Sequence, residues 1–309
     1  MSLKKMSLMV VLLITAILVT ACGGGEYPAG PITMMVPFRA GGGTDTQGRV
    51  LAAEMEAVLG QPVNVINNTG AGGTVGVQEL IASEPDGLTM ALVASTAVTV
   101  NPQLQGLTYT PEDIKVVGIA STFQVAMVTG GNAPYDTWDE WVAFAQANPG
   151  QKYMFLGQEG RQLMEVIAEI EGLEVEYVPA DGGAAVAPAL LAGDVDIAFS
   201  GGIHSRFLET GEMKVLMNLM STGDLVATPG LPSSIDVYGV ANNVQAILLV
   251  PADVSDEVVE QIGSAFKTAV DSDAYAETMA NIQFPVTYMA YPDSQTEIQL
   301  QFDAFAASQ

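Results

Sequence analysis

The chain has 309 residues, with 35 acidic side chains against 10 basic ones, a net charge of −25, one cysteine and one histidine. That balance excludes nucleic acid as a partner, because phosphate binding needs a basic patch, and a single cysteine excludes internal disulfides and cysteine metal clusters. Net charge reports on solubility and steering rather than on the contents of one pocket, so the excess reads as a salt-tolerant acidic surface, not as the mark of a cationic ligand.

The chain opens like a leader. Lys4 and Lys5 form a positive start, an apolar run follows from Met6 to Val19, and Val19-Thr20-Ala21-Cys22 precedes Gly23. Small residues before a cysteine, after a short apolar run, are the pattern of a bacterial lipoprotein signal, here residues 1–22, with lipid carried on Cys22 after cleavage. The competing reading is an uncleaved membrane anchor, but the run is shorter than the ~20 apolar residues a span needs. No later run is long enough either. The expectation is an exported protein, soluble beyond a tether at residues 23–30 and held at a periplasmic or cell-surface membrane face by lipid.

Pro31 to Val36 (PITMMV) reads as a strand, and the glycine loop PFRAGGGTD follows it. From Asp45 to Leu59, apolar residues at 50, 51, 55, 58 and 59 have helical spacing, and Gly60 supplies a stop. PVNVIN (Pro62–Asn67) is a second strand, whose glycine loop Asn68–Gly73 leads into a helix from Val75 to Ala82. After the turn PDG comes a third strand, LTMALVA. This β-α-β-α-β order is that of a parallel sheet with helices on its faces.

Near Thr122 the texture changes. FQVAMVT reads as a strand. A helix starts near Thr137 and stops at Asn148-Pro149-Gly150, and KYMFLG is another strand. The loop GQEGR and a helix from Gln162 to Gly172 follow, and then VEYVPA, DGGAAVAPALLAG and VDIAFSGG repeat strand-helix-strand. From Ala246, AILLVP returns as a strand, a helix follows with an N-cap signal at Ser255, and Thr296 to Ala307 is helical. A chain that starts one lobe, builds a second and returns needs two crossovers. The division is 31–125 with 246–309 for lobe 1, and 126–245 for lobe 2.

In open α/β sheets, ligands bind beyond the carboxyl ends of the strands, where the glycine loops sit. Glycines let backbone approach a ligand, and the amides that begin the next helix are unpaired and partly positive. Such a site takes an anion without any cationic side chain. No GxxxxGK[ST] and no convincing GxGxxG occurs, so nucleotide and dinucleotide loops are excluded.

PITMMVPFRAGGGTD, GQPVNVINNTGAGG, PDG, YVPADGG, LLAGDVDIAF and ATPGLP fall in this order along the chain. Together they resemble the solute receptors of tripartite tricarboxylate transporters, the Bug-type periplasmic receptors. The resemblance runs from about Tyr27 to the C-terminus. It implies an α/β periplasmic-binding-protein fold of the two-lobe, two-crossover type (type II), with a carboxylate-bearing ligand, such as a di- or tricarboxylate or a related acid, enclosed between the lobes. It implies membrane permease subunits as partners, no cofactor, no metal and no catalysis. Carried over, the first ligand loop is Phe38 to Asp45, that is Phe38, Ala40, Gly41, Gly42, Gly43, Thr44 and Asp45, with Arg39 within it. The second is Gly70 to Gly73, beginning Gly70-Ala71. Ser95 and Thr96 end the third strand and offer hydroxyls. In lobe 2 the candidates are Gly157 to Arg161, including Gly160, then Ala180, Asp181 and Gly182, and Ser200.

The pattern departs from the family where GQEGRQ replaces small hydroxyl residues with Glu159 and Arg161. Only four arginines occur, and a guanidinium fork at Arg161 could hold a distal carboxylate. The competing reading is an ion pair with Glu159 or with Glu165. Asp45, awkward beside an anion, is expected to cap its helix or hold a water. His204 with Ser205 lacks a GxSxG elbow and gives no hydrolase signal. Asp194 and Asp196 need bind no metal, no EF-hand spacing occurs, and Trp138 and Trp141 belong to a core. Two other classes stay open from sequence alone: a sensory or scaffold lipoprotein binding the same ligand, and an exported α/β hydrolase.

Overall fold

The computed structural model describes residues 27–221 and 223–308. The leader, Cys22 and the start of the tether lie outside them. The first sheet begins with β1 (Ile32–Val36), helix α1 (Gly43–Leu59), β2 (Val63–Asn67), α2 (Thr74–Ile81), β3 (Thr89–Ala94), short helices α3 (Thr96–Thr99) and α4 (Asn101–Gln105), and β4 (Ile114–Thr122). The chain then builds β5 (Ala126–Gly130), α5 (Trp138–Ala147), β6 (Gln151–Leu156), α6 (Gly157–Glu171), β7 (Val175–Ala180), α7 (Val186–Ala192), β8 (Ile197–Ser200), α8 (Ser205–Leu208), β9 (Met213–Asn218) and α9 (Ser234–Tyr238). It ends with β10 (Gln245–Pro251), α10 (Asp256–Val270), α11 (Asp273–Ile282), β11 (Val286–Ala290) and α12 (Asp293–Ser308).

The two sheets share one plan. In the first the order is β11-β4-β10-β3-β1-β2, and in the second β7-β6-β8-β5-β9. Parallel β1, β2 and β3 are joined by antiparallel β10, and parallel β6, β7 and β8 by antiparallel β5. In each sheet the antiparallel strand beside the parallel set, β10 or β5, is the one the chain forms on arriving from the other sheet; in the first sheet β11 also runs antiparallel to its neighbour β4. The lobes are therefore connected by two passages, 123–125 and 219–244.

Alternation along the strands sorts the first sheet's core onto two faces. Ile32, Met34, Val36, Met90 and Leu92 pack against Leu51 and Met55 of α1, Phe266 of α10 and Met279 of α11. Met35, Ala91, Val93, Ile247 and Leu249 pack the other way, against Val77 and Leu80 of α2, Val98 of α3 and Ile298 of α12. Trp138 and Trp141 are buried, their rings 4.6 Å apart between centroids. Helix ends follow local chemistry. Gly60 closes α1 in a left-handed conformation, Thr137 and Glu140 make a reciprocal capping box at α5, and the Ser255 hydroxyl accepts from Val258 N–H at α10. No helix among the described residues is long and apolar enough to cross a membrane.

Two sequence expectations are corrected. GQEGR is not a loop: α6 starts at Gly157 rather than at Gln162. Two glycines in that stretch disfavour helix locally, but Asn101 of the first lobe accepts the Gln158 N–H at 2.8 Å and so caps the helix from outside. In FQVAMVT, the pairing of β5 begins only at Ala126, because Phe123 to Val125 form the passage between the sheets. Eight elements have no counterpart in the sequence reading: β4, β9 and β11, the short helices α3, α4, α8 and α9, and α11.

Candidate functional site

Carboxyl ends of strands from both sheets face a common cleft, which is closed over a cavity of about 80 Å³, room for several waters or for a compact organic acid. Its first wall comes from the β1–α1 segment (Pro37, Phe38, Gly42, Gly43, Thr44), the turn Gly70–Gly73, and Ala94 and Thr96 at the end of β3. Its second comes from Leu156, Gly157 and Glu159 at the start of α6, Ala180 to Gly183 after β7, and Phe199, Gly201 and Ile203 around the end of β8. Phe123 and Val125 in one passage and Val244 in the other complete it.

Three of these segments are beginnings of helical structure without a side-chain cap. These are Gly42 before α1, Gly70 before the 3-10 turn Ala71–Gly73, and Gly182 before the 3-10 turn Gly183–Ala185. The amides of a first turn have no intrahelical acceptor, so the cavity is lined with backbone donors rather than with cations. Among the described residues on its wall there is no lysine, arginine or histidine. The charged residues there are Asp181, which is exposed, and Glu159, which is 7% exposed.

The lobes touch around the cavity. Thr96 donates its hydroxyl to Glu159 Oε1 at 2.9 Å, and Arg39 N–H donates to the Asp181 carbonyl at 3.3 Å. Gly72 has φ +71, and a Cβ there would stand 3.0 Å from Gly157 Cα. Glycine is thus required at Gly72 both by its left-handed backbone and by the approach of the other lobe.

Eleven of the expected residues lie on this wall: Phe38, Gly42, Gly43, Thr44, Gly70, Ala71, Thr96, Gly157, Ala180, Asp181 and Gly182. The others lie behind it or away from it. Ala40 and Gly41 are exposed on the outer side of the first loop. Asp45 is buried and braces that loop, accepting from Gly41 N–H at 2.8 Å, from Asn67 Nδ2 at 2.9 Å and from Arg49. Burial alone would raise its carboxyl, but the bonds from Arg49, Gly41 and Asn67 outweigh it and hold the carboxyl below its ordinary value. Ser95 Oγ accepts from Gln245 N–H at 3.1 Å and so stitches β3 to β10. The Gly160 carbonyl accepts from Tyr153 OH. Ser200 Oγ sits 2.8 Å from His204 Nδ1, and burial lowers the His204 pKa from 6.5 to about 4, so the ring is neutral.

Of the two readings of Arg161, the structure shows the ion pair with Glu165. Its Nε donates to Glu165 Oε1 at 2.8 Å on the exposed side of α6, and the guanidinium lies over the Tyr177 ring. The i,i+4 spacing on a helix decides this: with α6 beginning at Gly157, Arg161 and Gly160 share a first turn but not a face.

Sequence reasoning missed the apolar walls. Phe123, Val125 and Val244 stand in the passages between sheets, and Leu156, Phe199 and Ile203 at strand ends. Nothing in their spacing distinguishes them from core. Glu159 was visible as a departure from the family pattern, but not its position: burial raises its carboxyl from 4.5 to about 7, against the pull of the Thr96 hydroxyl and nearby amides, and its Oε2 has no hydrogen-bond partner.

Residues 48–308 match the model of the tripartite tricarboxylate transporter family receptors. Protein BugT of Bordetella pertussis is 29% identical over 90% of this chain and 88% of its own. A periplasmic transporter of known structure superposes with a TM-score of 0.83 at 24% identity, covering 92% of this chain and 97% of that one. MatC of Rhodopseudomonas palustris, with bound malate, gives 0.81 at 21%, covering 91% and 99%. At these identities the structural likeness speaks for the fold.

Proposed function

This chain belongs to the tripartite tricarboxylate transporter family of receptors, which are periplasmic solute-binding proteins, and on that premise we propose that it captures a small organic carboxylate in the cavity between its lobes and delivers it to membrane permease subunits. The observation that carries this reading is the convergence of three uncapped helical beginnings, at Gly42, Gly70 and Gly182, on one cavity. Their amides offer a carboxylate several donors with fixed geometry and no desolvated cation. The malate bound by MatC is an acid of this class.

Closure follows from where the ligand would sit. An anion held between amides of both lobes adds contacts available only when the lobes meet, and so shifts the population toward the closed form. The lobes are taken as 31–125 with 246–309, and 126–245, moving about the passages at 123–125 and 219–244. Phe123 and Val244 would then serve as both hinge and floor. Export and anchoring through lipid on Cys22 complete the proposal, and rest on the sequence pattern of residues 1–22.

The test is a thermal-shift screen of the domain lacking residues 1–22, against mono-, di- and tricarboxylates, aromatic acids, amino acids and neutral sugars. A ligand at 100 times its dissociation constant stabilises by ~2.7 kcal/mol, roughly 5–10 °C for a chain of this size. A shift confined to carboxylates supports the reading. A folded protein that responds to none of them refutes it.

A further inference from the structure

Glu159 is the anomaly of this cavity. A site lined by backbone donors for an anion carries, on its second wall, a buried carboxyl. One oxygen, Oε1, accepts from Thr96 across the cleft at 2.9 Å. The other, Oε2, makes no hydrogen bond, although the Asn101 side chain stands close enough to favour the charged carboxylate. Among the described residues no cationic side chain lines the cavity to balance it. Its nearest ion-pair candidate along the helix, Arg161, is taken by Glu165 on the exposed face.

A carboxylate enclosed without a counter-charge is costly, and a polar atom enclosed without a partner costs as well. Every group bonded to Glu159 is a donor, so its surroundings prepare it to accept. A plain dicarboxylate would place its second negative end in a cavity with no cation and one acidic wall residue already there. An acid that also bears an ammonium group would meet both demands. Its carboxylate would take the amides, and its ammonium would give Oε2 a donor and a charge.

Resting on the receptor reading above, we propose that the ligand is an amino-bearing carboxylic acid, and that Glu159 selects it by accepting a hydrogen bond from the ammonium group. Glu159 is thus a specificity residue, and the cavity discriminates against acids of the same skeleton that lack nitrogen. Specificity of this kind is strong because the wrong ligand leaves a buried acceptor unpaired.

The experiment is isothermal titration of the domain lacking residues 1–22, near pH 8, with two matched pairs: succinate with L-aspartate, and butyrate with 4-aminobutyrate. Within whichever pair binds, the amino member is expected to bind at least tenfold more tightly. Glu159→Gln, with its fold checked by melting, is expected to weaken the amino member at least tenfold and to strengthen the plain acid, so that the preference collapses. Equal affinities within both pairs overturn the proposal and leave the carboxylate receptor intact. So does a plain acid that binds best while taking up about one proton, measured in buffers of different ionisation enthalpy; Glu159 would then act as a protonated donor. A preference that survives Glu159→Gln also overturns it. Binding of no acid at all by folded protein defeats the receptor reading, and this inference with it.

Discussion

Thr96 and Glu159 belong to different lobes, yet the hydroxyl of one and the carboxyl of the other meet at 2.9 Å beside the cavity. Because the bond spans the cleft, opening would have to break it, which places it to act as a latch.

Thr96→Val keeps the shape of the side chain and removes the donor. Oε1 then joins Oε2 without a hydroxyl partner, at a cost of about 1–3 kcal/mol to the closed form. The expected outcome is weaker ligand binding together with a lower melting temperature of the free protein, in which the bond is already made. Titration calorimetry and melting together check it; equal affinity for variant and parent would show that the latch contributes nothing.

Gly72→Ala attacks closure by sterics. The residue sits at φ +71, and its new methyl would stand 3.0 Å from Gly157 Cα and 2.9 Å from Asn101 Nδ2. Both lobes still fold, but they cannot meet. Small-angle scattering in the presence of saturating ligand should give a larger radius of gyration than the parent. A radius identical to the liganded parent would show that the turn yields.

Glu159 and His204 tilt stability against pH in opposite directions. Folding raises the Glu159 pKa from 4.5 to about 7, so the folded state binds that proton more tightly. Its contribution is full below about 4.5 and is lost as pH climbs through about 7. Folding lowers the His204 pKa from 6.5 to about 4, so that contribution is full above 6.5 and is lost as pH falls through about 4. Glu159→Gln should therefore gain on the parent by on the order of 1–3 kcal/mol between about pH 5 and 8. His204→Gln should narrow its deficit, or gain, as pH falls from about 6.5 toward 4. Urea unfolding at a series of pH values measures both; parallel curves for Glu159→Gln and parent would place the carboxyl at its ordinary pKa.

Arg161→Ala is expected to leave ligand affinity within a factor of two. Its ion pair with Glu165 is half exposed on both sides, at 46% and 47%, and such i,i+4 pairs contribute only about 0.3–0.5 kcal/mol. A large loss of dicarboxylate binding in calorimetry would instead return Arg161 to the cavity.

The strands and helices with clean periodicity, such as β1, α1, β3 and α10, were legible in the sequence, and so were the glycine loops that line the first wall. What escaped was decided by tertiary contact. β4 is buried along almost its whole length between β10 and β11, so it shows no alternation. It also carries Gly118, a residue disfavoured in strands, because a Cβ there would meet the Phe266 ring at 2.8 Å. The start of α6 was hidden for a related reason: its cap, Asn101, lies 57 residues away in the other lobe. With the helix starting at Gly157, Arg161 faces outward to Glu165 and Glu159 faces the cavity.

The placement of β10 has a bearing on how the chain is made. It is the centre of the first sheet, bonded to β3 on one side and β4 on the other, yet it is translated after the whole of the second sheet. While residues 126–218 emerge and can complete their own sheet, β3 and β4 wait on the ribosome or in the export channel with a strand-wide slot between them. The second lobe is thus the unit that can mature first, and the first lobe closes only when Gln245 to Pro251 arrive. The slot exposes the paired edges of two apolar strands for that interval, which is when a nascent copy of this receptor is most open to joining another chain instead of itself.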